Sequence, residues 1–129
     1  MTEDQRRAIE ADCARLIALY ANLNDEARWE DVAALYTDDG LMTRPTAPDA
    51  PIVGRAAILA AFQARPPRKT RHVCSNVVID VEDHASARGT SAMVLFTEGG
   101  VPLAGSFHDL FVWTADGWRF AERRGSLAW

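Results

Sequence analysis

At 129 residues the chain has the length of one domain, and its 48% apolar and 25% charged residues are those of an ordinary globular protein. A net charge of -4 excludes broad binding to nucleic acid or anionic membranes, which needs a basic field. No run is apolar enough to span a membrane, MTEDQRRAIE is no signal peptide, and Cys13 and Cys74 cannot build a disulfide framework; a cytoplasmic home is expected. Thr2-x-x-Gln5 reads as a capping box, and behind it Ile9, Cys13, Leu16, Ile17 and Tyr20 recur at helical spacing, which predicts a helix of about five turns. Asn24-Asp25 breaks the pattern, because both side chains favour caps and turns. Trp29, Val32, Ala33, Leu35 and Tyr36 predict a short second helix ending at Thr-Asp-Asp-Gly40. Residues 41–53, with three prolines, suit a short strand, a loop and an edge strand at Pro51-Ile-Val. Gly54 can cap a third helix carrying Ala57, Ile58, Ala61 and Phe62 on one face, ended by Arg65-Pro-Pro-Arg-Lys.

From Thr70 the period changes to two. Four long strands are expected over Thr70–Val81, Ala85–Glu98, Val101–Thr114 and Trp118–Ser126, with hairpin turns at Gly99-Gly100 and Asp116-Gly117. His72, Cys74, Asn76 and Val78 should share one face of the first, and Ser106, His108, Leu110 and Val112 one face of the third. Helices segregated from an antiparallel meander give the α+β class, over a single domain of residues 1–129. If the sheet curls around the first helix, a conical pocket forms between them.

The polar groups facing such a pocket are the candidates for chemistry. A histidine whose ring nitrogen is held by an aspartate makes a general base near neutral pH, and Asp25 is the carboxylate placed to meet His72. The alternatives are plain: Asp25 as a helix cap, His72 as a hydrogen-bonded core residue, Trp29 as packing. Arg123-Arg124 reads as one pairing and one solvated residue, either able to bind an anionic group. No HxH or HxxxH spacing supports a metal site, and no nucleotide-binding motif is present, so neither metal nor cofactor is expected.

The ordered set Tyr20-x4-Asp25-x3-Trp29, Leu35-Tyr36-Thr-Asp-Asp-Gly40, Gly54-Arg-x2-Ile58, Arg71-His72-x3-Asn76 and Asp116-Gly-Trp118-Arg-Phe resembles the SnoaL-like branch of the nuclear-transport-factor-2-like superfamily. The resemblance covers nearly the whole chain. It implies a cone: three N-terminal helices packed in a strongly curved, mixed but mostly antiparallel sheet, commonly a homodimer through the sheet's outer face. Scytalone dehydratases and hexachlorocyclohexane dehydrochlorinases look closest, and their aspartate–histidine dyad falls on Asp25 and His72. The chain departs from them at Met42-Thr43-Arg44, near the first strand, where the dehydratases place tyrosines, at Tyr20, which aligns with the dehydrochlorinases' supporting lysine, and at His108, which aligns with a dehydratase asparagine. Limonene epoxide hydrolases need an Asp-Arg-Asp set that has no match here.

The expectation is a cofactor-independent lyase or isomerase acting on a small apolar, cyclic or aromatic substrate. His72, oriented by Asp25, would take a proton, and Tyr20, Asn24, Asn76 and His108 would bind or polarise the substrate. The other class that fits is a non-catalytic small-ligand-binding protein or accessory dimeric subunit of the same fold.

Overall fold

The computed structural model describes residues 1–129. Helix α1 (Glu3–Asp25) is followed by α2 (Trp29–Ala33), strands β1 (Tyr36–Arg44) and β2 (Ala47–Val53), α3 (Arg55–Gln63), and strands β3 (Thr70–Val81), β4 (Ser86–Thr97), β5 (Leu103–Thr114) and β6 (Gly117–Leu127). The strands form one six-stranded sheet in the order β2-β1-β6-β5-β4-β3. All neighbours are antiparallel except β1 and β6, so the sheet is mixed, as expected.

The start of α1 follows from local chemistry. The Thr2 hydroxyl accepts from the Gln5 amide at 3.1 Å, and the Gln5 side chain accepts from the Thr2 amide at 2.9 Å, which satisfies two otherwise orphaned donors. The predicted stripe of Ile9, Cys13, Leu16, Ile17 and Tyr20 is the buried face. It meets Tyr36 and Met42 of β1, Ala87 of β4, Phe111 of β5 and Trp118 and Phe120 of β6 in one core cluster, so the inner face of the sheet wraps the helix. Each large apolar side chain buried there contributes roughly 1.5–3 kcal/mol.

Four local expectations need correction. The second helix stops at Ala33, and Tyr36 opens β1, because Leu35 and Tyr36 pair with β6: the Phe120 amide donates to the Leu35 carbonyl at 2.8 Å. Residues 45–46 form a tight turn between β1 and β2, and Pro48 and Pro51 are tolerated because β2 is an edge strand. Gly125 makes room for this turn, since a Cβ there would sit 2.7 Å from Cδ of Pro45.

The other two corrections concern strand faces. β3 carries a bulge between Ser75 and Val78, with Asn76 in the left-handed region at φ 54°. His72 and Cys74 face inward before the bulge, Ile79 and Val81 after it, and Asn76 itself is exposed. On β5 the inward set is Phe107, Asp109 and Phe111, which leaves His108 exposed on the outer face. Both faces of that strand carry apolar residues, and the two phenylalanines decide the parity because they bury the larger area.

Candidate functional site

The C-terminal half of α1, the ends of β1 and α3, the start of β3 and the adjoining parts of β4, β5 and β6 enclose a cavity of about 420 Å³. Tyr20, Asn24, His72 and Arg123 all line it. A volume of this size suits a small organic molecule.

Asp25 ends α1, and its carboxylate turns onto β3 instead of capping α2, whose N-terminal Arg28 has no side-chain cap. Both oxygens are engaged. Oδ1 lies 2.6 Å from Nδ1 of His72 and accepts from the Thr70 hydroxyl at 2.9 Å, while Oδ2 accepts from the His72 backbone amide at 2.9 Å. The two side chains are only 12% and 13% exposed. With Nδ1–H donating to the carboxylate, the ring's proton-accepting lone pair is on Nε2. The Thr70-x-His72 spacing places hydroxyl and imidazole on one strand face, so both reach the same carboxylate. That alternation is visible in the sequence, and Thr70, neither acid nor base, joins the site through its hydroxyl.

Tyr20 contributes the wall of the cavity with its ring. Its hydroxyl is committed, 3.0 Å from the Tyr36 hydroxyl and 3.4 Å from the Met42 sulfur. Burial pushes both phenols above their ordinary range, Tyr36 further, so both remain protonated at neutral pH. Asn24, 7% exposed, adds an amide to the same wall. Asn76 and His108 do not join the cavity: the bulge turns the first out, and the second shares an outer-face depression with Arg88 and Arg124. Trp29 packs on Phe62, stacked at 5.2 Å between ring centroids.

Arg123 is the group whose importance the sequence understated. A bulge in β6 opposite Leu110 and Phe111 shifts the strand's parity, so Phe120 and Arg123 both point inward. Its guanidinium, 1% exposed, lies 3.9 Å from the Phe107 ring centroid and 4.4 Å from that of Tyr20. Asp109 is its nearest counter-charge, at 3.6 Å, too long for a hydrogen bond, and none of the guanidinium nitrogens or carboxylate oxygens has a hydrogen-bond partner. Burial raises the Asp109 carboxyl to about 6, against the lowering effect of Arg123. Arg124 is the solvated member of the pair, beside Glu122 at 3.3 Å. No group of three His, Cys, Asp or Glu side chains gathers in metal-ligating geometry.

This arrangement provides a fixed imidazole, a cation and an amide on the wall of one largely apolar chamber. Among solved structures, a candidate scytalone dehydratase from Novosphingobium aromaticivorans superposes with a TM-score of 0.88 at 21% identity, covering 99% of this chain and 89% of that one. A type 2 hexachlorocyclohexane dehydrochlorinase gives 0.87 at 16% identity, covering 99% and 90%. A protein from Catenulispora acidiphila in complex with S-DNPA gives 0.73 at 24% identity, covering 94% of each chain. At these identities the likeness is one of fold. No curated protein matches the sequence. The SnoaL-like domain model, however, matches residues 5–124, and the chain belongs to that family, within the nuclear-transport-factor-2-like superfamily.

Proposed function

We propose that the protein is a cofactor-independent lyase or isomerase in which His72, held by Asp25, is the general base. The observation that carries this reading is the 2.6 Å contact between Nδ1 and Oδ1 on the wall of the cavity, with Thr70 and the His72 amide fixing the carboxylate. Nε2 takes a proton from a substrate carbon, and Asp25 stabilises the imidazolium that results. The electron pair of the broken C–H bond then forms a double bond as a leaving group departs, or an enolate that is reprotonated elsewhere. Arg123 supplies positive charge for the departing anion or enolate oxygen, in a low-dielectric site where such charge is most effective. Tyr20 and Asn24 shape and orient the substrate, and Asn76 and His108 have no part in it.

The related folds named for dehydratase and dehydrochlorinase activity support elimination over other chemistries, by analogy. We further place a homodimer interface on the outer sheet face, where Val73, Val78 and Phe96 are exposed. Sedimentation as a monomer would remove that interface. Two free cysteines, one buried, agree with a reducing compartment such as the cytoplasm.

The test is proton exchange. Small cyclic ketones, halides and β-hydroxy ketones that bind the protein are incubated with it in D2O, and exchange or elimination is followed by NMR. The expected result is turnover by the native chain that His72→Ala abolishes while ligand binding persists. Binding without exchange or elimination in the native chain favours the non-catalytic ligand-binding reading.

A further inference from the structure

We infer that the cavity accepts an organic carboxylate, with the carboxylate held at the mouth by Arg44, Arg65 and Arg68 and the hydrophobic body lying inside. This rests on the cavity being the substrate site and adds a charged head group to the small apolar, cyclic or aromatic substrate expected from sequence.

The charge distribution points there first. The chain is acidic, yet four of the 20 residues lining the cavity are arginines and none is an aspartate or glutamate. Arg123 lies deep, whereas the other three belong to the end of β1 and the segment that links α3 to β3. None of these three comes within 4.0 Å of a carboxylate, although most other arginines in the chain do.

Arg44 and Arg65 are also held in place. Arg44 donates through Nη2 to the Ala61 carbonyl at 2.9 Å, while its buried Nε has no partner. The Arg65 guanidinium sits 4.5 Å above the Phe62 ring. Pro66 and Pro67 separate Arg65 from Arg68 and stiffen the backbone between them. Burial, followed by repulsion from Arg44 and then Arg68, lowers Arg65 to about 10, so the cations are close enough to oppose one another. A bound anion relieves that repulsion.

Carboxylate is the head group that fits. A planar guanidinium matches it with two parallel hydrogen bonds. Phosphate sites instead recruit backbone amides from glycine-rich turns or helix N-termini. This mouth includes Pro45 and Pro66, which have no amide hydrogen to give. Behind it, Met42, Phe62, Met93, Leu95 and Phe107 offer apolar surface for a ring or short chain.

The experiment uses the full chain and a panel of aromatic and alicyclic carboxylic acids, each paired with its primary amide, with affinities measured by calorimetry at low and high salt. Acids should bind at least about tenfold tighter than their amides, and the preference should shrink at high salt. Arg65→Gln with Arg68→Gln should erase the preference, so that acid and amide bind alike, in a chain that circular dichroism shows to be folded. Amides binding as tightly as acids, a panel in which no acid binds, or a preference that survives the double substitution and falls only in Arg123→Met would overturn the assignment. His72→Ala should retain the acid preference. A chain that prefers acids but shows no proton exchange would therefore sink the catalytic reading and leave this one standing.

Discussion

Asp25 and Asp109 both lie out of solvent beside a nitrogen base, and the two pairs are built in opposite ways. At Asp25 every oxygen has a donor: Thr70 and the His72 ring on Oδ1, the His72 amide on Oδ2. At Asp109 neither oxygen has one, and the Arg123 guanidinium stands 3.6 Å away between aromatic rings. The first pair is positioned and satisfied, which is how a base is aimed. The second is desolvated and unsatisfied, which leaves its charges available to a neighbour or a ligand but makes it expensive to keep. The difference predicts that the same substitution has different consequences at the two sites.

Asp25→Asn should have the largest effect, and on turnover. The asparagine can satisfy the His72 amide with its oxygen only by turning its NH2 toward Nδ1. That forces Nδ1 to accept, moves the ring proton to Nε2, and removes the lone pair that takes the substrate proton. A loss of about 10²–10⁴ in kcat/KM is expected, at nearly unchanged melting temperature. Turnover within tenfold of native would mean that the pair is structural. Asp109→Asn, by contrast, should fold and turn over.

Arg123→Ala should act on stability, because it strands Asp109 in a dry site: about 3–5 kcal/mol by urea unfolding. Combining Arg123→Met with Asp109→Leu removes both charges and should recover most of that loss. No paired apolar substitution at Asp25 and His72 should recover turnover. If the double variant at Asp109 and Arg123 is no more stable than Arg123→Ala, packing of the long arginine, not its charge, holds that layer together.

Asp109 also gives the comparison a pH dependence. Its carboxyl is raised from 3.8 to about 6 on folding, so between those values the folded chain binds the extra proton and the unfolded chain does not. The group's contribution is fully present below about 4 and is lost as pH rises through about 6. The stability of the native chain relative to Asp109→Asn should therefore fall by about 3 kcal/mol between pH 4 and 7. A flat difference across that range would show that Asp109 stays ionised.

Much of this could be read in the sequence, and the reasons for the rest are physical. The capping box, the apolar stripe of α1 and the Asp25–His72 meeting follow from local patterns that the fold keeps. The misplacements of Asn76 and His108 arise where a period of two carries no information about phase. A bulge at residues 75–78 shifts β3 by one position, and β5 has apolar residues on both faces, so side chains two apart were assigned to the wrong side. Arg123 was hidden in the same way. Ala121 is the extra residue that turns β6, and without it Arg123 would face solvent.

The finest test of the contrast is Thr70→Val, which removes one of three donors from Asp25 and keeps the side-chain shape. The His72 amide and Nδ1 still hold the carboxylate, so the fold should be unaffected, and the loss should be that of one hydrogen bond, about 1 kcal/mol. In kcat/KM this is about fivefold, read as a fall in kcat at constant KM, because the hydroxyl orients the base and lies off the substrate. Thr70→Ser retains the donor and should restore most of the rate. A fall in KM-dependent binding instead, or no rescue by serine, would make Thr70 a packing residue and would leave the carboxylate's aim to the backbone of β3 alone.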